Sequence, residues 1–300
     1  MPYYVNVCYH EQGNCRLLSA TLQRKFVLVD FDTGELRLSA RLSRPGDNTC
    51  DVDWEAKKFI YSSDGWRAVE LCDARNGDLI KQIKMRDPAR LMLGKECRFA
   101  VASDLEKPGY IIECTTGRLE SISDLGSISG GALAPDRSIL VVGNRKRVGF
   151  AKRICLERGE YYELRLPRPR RAVQMRFRPN FEGISVLYDD WVVACYRTLA
   201  FSDELWKYSC SGELEPWFSS WTGDGRYFVL GNDKAPALVL DGDTGRVMKS
   251  IDVRFRPFYA SAGSTVMNGC IEILDLEREA IDSRRNQIDW WKKSKFLEYS

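Results

Sequence analysis

The stretch "LVLDGDTGRVMKSI", Leu238 to Ile251, decides the fold, because the chain carries a near copy of it 211 residues earlier as "VLVDFDTGELRLSARL", Val27 to Leu42. Both read as an alternating apolar strand, an aspartate, a turn with Thr-Gly, and a second alternating strand, which is a hairpin pattern. Thr-Gly suits the turn because glycine takes positive φ without a Cβ clash and the polar neighbour bonds locally to the backbone. The pattern recurs as "VELCDARNGDLIKQI" from Val69 and "YIIECTTGRLESI" from Tyr110, with weaker copies "ICLERGEYYELRL" from Ile154, "KYSCSGELE" from Lys207 and "IEILDLEREAI" from Ile271.

A short apolar strand after a polar turn precedes each hairpin. With Leu17, Phe59, Phe99, Ile139, Ile184, Tyr227 and Val266 as equivalent positions, the steps are 42, 40, 40, 45, 43 and 39 residues. A period near forty with four short strands per unit is what a propeller blade requires.

Units such as "APDRSILVVGN" and "TGDGRYFVLGN" resemble the β-propeller repeats of the WD-repeat and YVTN-type superfamily, over roughly residues 4–281. The chain has no Trp-Asp dipeptide ending a third strand and no Gly-His before a first strand. The resemblance implies an all-β protein: a single seven-bladed β-propeller over residues 1–281 with a short C-terminal extension, 282–300. It implies little about activity, since propellers host both scaffolds and enzymes. Two segments compete for the outer strand of the seventh blade, "EREAID" and the N-terminal "YYVNVCY".

Composition agrees, with 44% hydrophobic and 29% charged residues, as in globular proteins with a large core. No apolar run reaches the roughly 18 residues that span a bilayer. The start, "MPYYVNVCYH", reads as a first strand rather than a secretory signal, so a cytoplasmic location is expected. Among the ten cysteines, Cys72, Cys114, Cys155, Cys195 and Cys210 lie in or beside expected strands with no C-x-x-C pair, and are read as buried structural thiols. Cys8, His10 and Cys15 in "CYHEQGNC" would supply three zinc ligands at a spacing that matches no common site; a hairpin turning at "EQGN" is the simpler reading, and neither metal nor cofactor is expected.

His10 is the only histidine, and neither a G-x-S-x-G elbow nor a phosphate-binding glycine loop is present, which removes the common nucleophilic and nucleotide devices. Asp189 and Asp190 in "LYDDW" remain as carboxylates for a propeller hydrolase or lactonase, with calcium in a channel as its cofactor. Adjacent strand residues point to opposite faces, so they make a poor acid/base pair and no catalytic residue is assigned.

Charge is more informative. The whole chain has 45 basic and 42 acidic side chains, yet residues 144–179 alone carry +9 and the remainder −6. Such asymmetry marks a surface for polyanions or acidic partners. "NRKR" (Asn144 to Arg147) falls between second and third strands and "PRPRR" (Pro167 to Arg171) between the fourth and fifth blades, positions that propeller topology puts on one face. Arg145, Lys146, Arg147, Arg168, Arg170 and Arg171 are therefore read as a partner-binding cluster, with Arg254, Arg256, Arg86 and Arg90 on the same side. The alternative is solvated arginines paired with Glu157, Glu160 or Glu163.

The spacing from Gly159 to Gly212, 53 residues against 33 to Gly245, reads as an insertion in the fifth blade, "DDWVVACYRTLAFSDELW". Trp191, Phe201 and Trp206 in it are core residues or, if exposed, aromatic anchors. The tail carries a weak amphipathic pattern at Ile288, Trp291 and Lys295, consistent with a short helix. The expected function is a non-catalytic scaffold, a subunit of a larger complex, that binds an acidic protein segment. A nucleic-acid-binding subunit, with Trp66 or Trp191 stacking on a base, is the alternative and the hydrolase the second. Membrane-surface binding is not expected: the paired-arginine FRRG motif of phosphoinositide-binding propellers is absent.

Overall fold

The fold was examined in a computed structural model. It describes residues 6–282 except the connecting positions 13–14, 23–24, 31–35, 43–45, 64–66, 86–89, 104–108, 123, 126–130, 145, 180–182, 198, 211–214, 217, 233–234, 252–257, 261–264, 269–271 and 276–279; before Phe26 and after Ile251 it describes backbone pairing alone. The described strands form seven four-stranded antiparallel sheets in chain order, spanning residues 6–41, 46–84, 90–122, 132–165, 172–209, 218–251 and 258–282. These are the blades of a β-propeller. Among the described residues there is no α-helix, only a 3-10 turn at Lys95–Cys97, and no helix is long and apolar enough to cross a membrane.

All seven expected second strands are present, from Cys15–Leu22 in the first blade to Thr265–Asn268 in the seventh. Asn6–Gln12 is the first strand of the first blade, and the outer strand of the seventh is Ala280–Asp282, so "EREAID" rather than the N-terminus supplies it. The hairpin expected at "CYHEQGNC" runs from Asn6 to Leu22, with Gln12 opposite Cys15.

The chain divides into two compact units, Met1–Lys146 with Lys152–Glu163, and Arg147–Ala151 with Leu164–Ser300. Within each, middle strands are largely apolar and buried on both faces because blades pack on both, with Ser62, Ser63, Glu70 and Ser185 buried among them, whereas outer strands alternate. In the fifth blade Ile184–Tyr188 and Val192–Tyr196 are wholly buried, while Glu204–Ser209 is buried only at Trp206. The first unit stacks Phe26 on Phe59 with ring centroids 4.0 Å apart, joining its first two blades. The second packs Trp206 against Trp221 and Phe228, joining blades five and six.

The repeated turn has a packing reason as well as a local one. Asp241 accepts the N–H groups of Asp243 and Thr244 and the Thr244 hydroxyl, at 3.2, 2.8 and 2.7 Å. Gly245 follows at φ +68, and a Cβ there would stand 2.7 Å from the Trp206 ring of the preceding blade. Glycine is thus required by conformation and by the neighbouring blade at once.

One buried ion pair ties three blades of the first unit together. Arg137, in the turn before the strand Ile139–Gly143, reaches Asp51 on the strand Gly46–Asp53 through Nη1 and Nη2 at 2.9 and 3.0 Å, and the Leu93 carbonyl at 2.8 Å. Leu93 in turn donates its N–H to Asp51 at 2.7 Å.

The fifth-blade insertion is corrected. Val192–Tyr196 is the ordinary third strand and Glu204–Ser209 the fourth. Lys207 to Ser209, read as opening a hairpin, ends a blade instead. The turn between them closes through Arg197 N–H to the Asp203 carbonyl at 2.9 Å, and its left-handed residue is Phe201 at φ +54. Phe201 is buried edge-on against Tyr196 at 5.4 Å, so a core side chain occupies the place where other blades have glycine. The turn therefore carries no glycine signal, and the glycine spacing runs on to Gly212. Phe201 and Trp206 are core, not exposed anchors; the Trp206 indole donates to the Gly242 carbonyl at 2.8 Å.

Cys72, Cys114, Cys155 and Cys195 are buried free thiols and Cys210 is half-buried. Burial pushes the thiols of Cys72, Cys114 and Cys195 up to about 12 and that of Cys210 to about 11. Cys155 differs. It occupies the turn position of Asp73, Glu113 and Asp241, and burial is outweighed there by hydrogen bonds from the Arg158 side chain and the Glu157 and Arg158 N–H groups, which lower its pKa.

Candidate functional site

Three connections of the second unit meet beside its arginines. They are the loop around Gly149, the link from Leu166 to Arg171 that leads into the strand Ala172–Phe177, and the turn of Asp189, Asp190 and Trp191. Pro167 and Pro169 hold the link extended by fixing φ and removing two donors. Gly149, at φ +79, donates its N–H to the Arg170 carbonyl at 3.0 Å, and its own carbonyl accepts from Leu166 at 2.7 Å. A Cβ on Gly149 would lie 3.3 Å from Pro169 Cα, so the close approach needs glycine. Asp189 N–H donates to the Arg171 carbonyl at 3.0 Å, which fastens the third connection to the same link.

The arginines of the link are not equivalent. Arg168 Nη2 donates to Asp190 Oδ2 at 2.7 Å, and its guanidinium lies 5.4 Å from the Tyr188 ring centroid. Beneath it, the buried hydroxyls of Tyr188 and Tyr196 meet at 3.0 Å, and burial raises the pKa of both. Arg170 Nε stands 3.4 Å from that same Asp190 oxygen, and Arg171 Nε 3.8 Å from Asp189 Oδ2. The side chain of Arg168 is 30% exposed, those of Arg170 and Arg171 57% and 54%. One arginine is thus locked in place and two are held loosely. Arg147 lies over the Phe150 ring, 4.0 Å from its centroid.

Two buried atoms of the locked pair, Arg168 Nε and Asp190 Oδ1, have no hydrogen-bond partner among the described residues. Beside the Gly149 junction, Val148 is 55% exposed.

In the first unit, Lys146 pairs with Asp124 at 3.0 Å and donates its backbone N–H to Asn144 Oδ1 at 3.0 Å. Arg145, Arg254, Arg256, Arg86, Trp66 and the tail beyond Asp282 lie outside the described residues, as does the side chain of Arg90. Trp191 is half-buried at φ +59; its N–H donates to the Tyr188 carbonyl and its carbonyl accepts from Cys210, both at 3.0 Å, so its backbone is part of the turn.

Sequence reasoning brought the right two connections together and missed the third. The expected glutamate partners are not the ones the link arginines use: Glu160 pairs with Arg158 at 3.6 Å, and Asp189 and Asp190 take Arg168, Arg170 and Arg171. The signal was available, because "LYDDW" is itself a second-to-third-strand loop and belongs beside an interblade link by the rule that joined "NRKR" to "PRPRR". Both aspartates sit on the turn after the strand rather than on opposite faces of it, and each is held by arginine.

No protein-family model matches the sequence, and no curated protein matches it. Among solved structures, the β-propeller domain of Cps50 (Swd1) from Myceliophteria thermophila aligns at a TM-score of 0.68 and 12% identity, covering 92% of this chain and 96% of that one. Hsv2 from Kluyveromyces marxianus aligns at 0.69 and 14%, covering 93% and 97%. Hsv2 from Kluyveromyces lactis aligns at 0.67 and 12%, covering 90% of each chain. At such identities the likeness is one of fold, and by its fold this chain is a β-propeller.

Proposed function

We propose that the protein is a non-catalytic interaction module that binds an acidic protein segment through the arginines between its fourth and fifth blades. The observation that carries this reading is the imbalance at the link: Arg168 and Arg170 share one oxygen of Asp190, and Arg170 and Arg171 stay more than half exposed with contacts of 3.4 and 3.8 Å. Two guanidinium forks therefore remain ready for a carboxylate, which they match with parallel hydrogen bonds. The mechanism is rigid presentation. The link is fixed by prolines and by main-chain hydrogen bonds to two loops, so little ordering entropy is lost on binding.

The experiment replaces Arg170 and Arg171 with Glu and measures partner capture from native extract, salt dependence and melting together. Loss of a specific acidic partner with melting unchanged within about 1 °C supports the reading, since exposed ion pairs contribute little to folding. A melting temperature several degrees lower makes these arginines structural. Binding that falls steeply and linearly with salt on logarithmic axes identifies nucleic acid instead, because each neutralised phosphate releases counterions.

A further inference from the structure

The link arginines already hold an acidic ligand of the chain's own. Asp189 and Asp190 are consecutive, and Arg171 and Arg170 take one each: Arg171 Nε stands 3.8 Å from Asp189 Oδ2 and Arg170 Nε 3.4 Å from Asp190 Oδ2. Charge-assisted hydrogen bonds of this kind close to about 2.7–2.9 Å, so neither contact is fully made. The turn is nevertheless fixed beside the link, because the Asp189 N–H donates to the Arg171 carbonyl at 3.0 Å and the Trp191 N–H to the Tyr188 carbonyl at 3.0 Å. The backbone thus holds two consecutive carboxylates opposite two consecutive arginines, and the side chains engage only loosely.

Giving up either contact strands no buried charge. Asp190 keeps Arg168 Nη2 at 2.7 Å when Arg170 leaves it, and Asp189, 33% exposed, returns to water when Arg171 leaves. Arg170 and Arg171 are more than half exposed, so an outside carboxylate reaches them without any opening of the fold. Breaking exposed pairs of this kind costs little. Two adjacent acidic residues match the two arginines one to one, as Asp189 and Asp190 do, whereas two carboxylates set far apart on a flexible chain must forgo one arginine or order the residues between them, at an entropic cost.

We infer that the partner of this site presents two adjacent acidic residues, and that binding is an exchange in which this pair replaces Asp189 and Asp190 on Arg171 and Arg170 while Arg168 retains Asp190. The inference rests on the function proposed above and deepens it in two ways. It names the motif within the acidic segment, and it makes the Asp189–Asp190 turn a built-in competitor that sets the affinity.

Three fluorescent probes are titrated with the full chain at low ionic strength, where exposed charges are least screened, and followed by anisotropy: an end-blocked decapeptide of Gly and Ser with Asp-Asp at its centre, an isomer with one Asp at each end, and a ten-residue oligothymidylate. The Asp-Asp peptide is expected to bind about fivefold more tightly than its isomer, the size of one exposed ion pair. Asp189→Asn, which removes one internal competitor and leaves the Arg168–Asp190 pair in place, should tighten the Asp-Asp peptide about threefold; a merely structural Asp189 would leave the affinity unchanged or lower it. The Arg170→Glu/Arg171→Glu variant should bind neither peptide. Thermal melting checks that each variant is folded, and the two isomers on the unaltered protein carry the test if Asp189→Asn is not. If the isomers bind equally, or folded Asp189→Asn fails to tighten the Asp-Asp peptide, while the double charge reversal still abolishes binding, recognition is by net charge alone; the inference is overturned and the proposed function stands. If neither peptide responds to the charge reversal, or the oligothymidylate binds more tightly than both, the proposed function falls and the inference with it.

Discussion

Replacing Arg137 with Met keeps the length of the side chain and removes its charge, leaving Asp51 as a carboxylate in a site where the two side chains are only 11% and 9% exposed. Removing one partner of a buried pair typically destabilises by about 3–5 kcal/mol. The lower end applies, because Asp51 retains the N–H groups of Val52 and Leu93 at 2.8 and 2.7 Å. About 3 kcal/mol corresponds, for a chain of 300 residues, to a fall in melting temperature of roughly 5 °C. Burial works against the Arg137 charge and Asp51 outweighs it, raising the pKa, so Arg137 keeps its charge throughout the neutral range. Arg137 also stands at φ +60, a conformation that strains an L-residue by roughly 1 kcal/mol. Arg137→Gly relieves that strain but also loses the buried side chain, which costs more, about 2–5 kcal/mol, so it should be less stable than Arg137→Met. Adding Asp51→Asn to Arg137→Met removes the stranded charge and should recover at least half of the loss. Thermal melts and urea titrations followed by far-ultraviolet circular dichroism measure all three. An Arg137→Met protein that melts within a degree of wild type, or a double variant no more stable than Arg137→Met, refutes the reasoning.

Neutralising Asp189 and Asp190 together as asparagines releases Arg170 and Arg171 and should tighten binding of a fluorescent Glu-rich decapeptide by roughly fivefold, the order of an exposed ion pair; unchanged fluorescence anisotropy would show that the aspartates do not compete for them. Phe201→Ala removes a buried ring and should lose roughly 3–5 kcal/mol, whereas Phe201→Gly should regain about 1 kcal/mol of it by relieving the positive φ; denaturation midpoints in the reverse order would contradict the turn geometry. Cys155 should be alkylated by iodoacetamide at pH 7.5 before Cys72, Cys114 or Cys195, because its thiolate is favoured at lower pH than theirs, and its rate should fall as pH drops through its own pKa; mass spectrometry of native protein labelling Cys72 as early as Cys155 would count against this.

The fold was legible because its rules are local. An aspartate that caps the next N–H groups and a glycine at positive φ write the same short pattern in successive blades, and the period follows from counting it. The pattern failed at Phe201, where a tertiary contact with Tyr196 replaces the local preference for glycine. Reading Gly212 as the turn then created an insertion that the fifth blade does not have. Cys155 shows the opposite case: the turn persists, with Gly159 N–H on the Cys155 carbonyl at 2.8 Å, while the capping carboxylate is gone.

The site was legible only in part. Topology placed Arg147 and the link arginines together from strand order alone, and the Gly149 hydrogen bonds join them as that order requires. Which arginine is locked and which is available does not follow from spacing, since Arg168 and Arg170 are two residues apart and contact the same aspartate at 2.7 and 3.4 Å. Asp51 and Arg137, 86 positions apart, give no pattern at all.

The sequence by itself determined the blade count, the strand order and the concentration of positive charge, because turn chemistry, alternation and composition are properties of neighbouring residues. Only the tertiary structure decided the partners of those charges. A salt bridge depends on distances of a few ångströms between side chains on different connections, and those distances are set by how the blades pack.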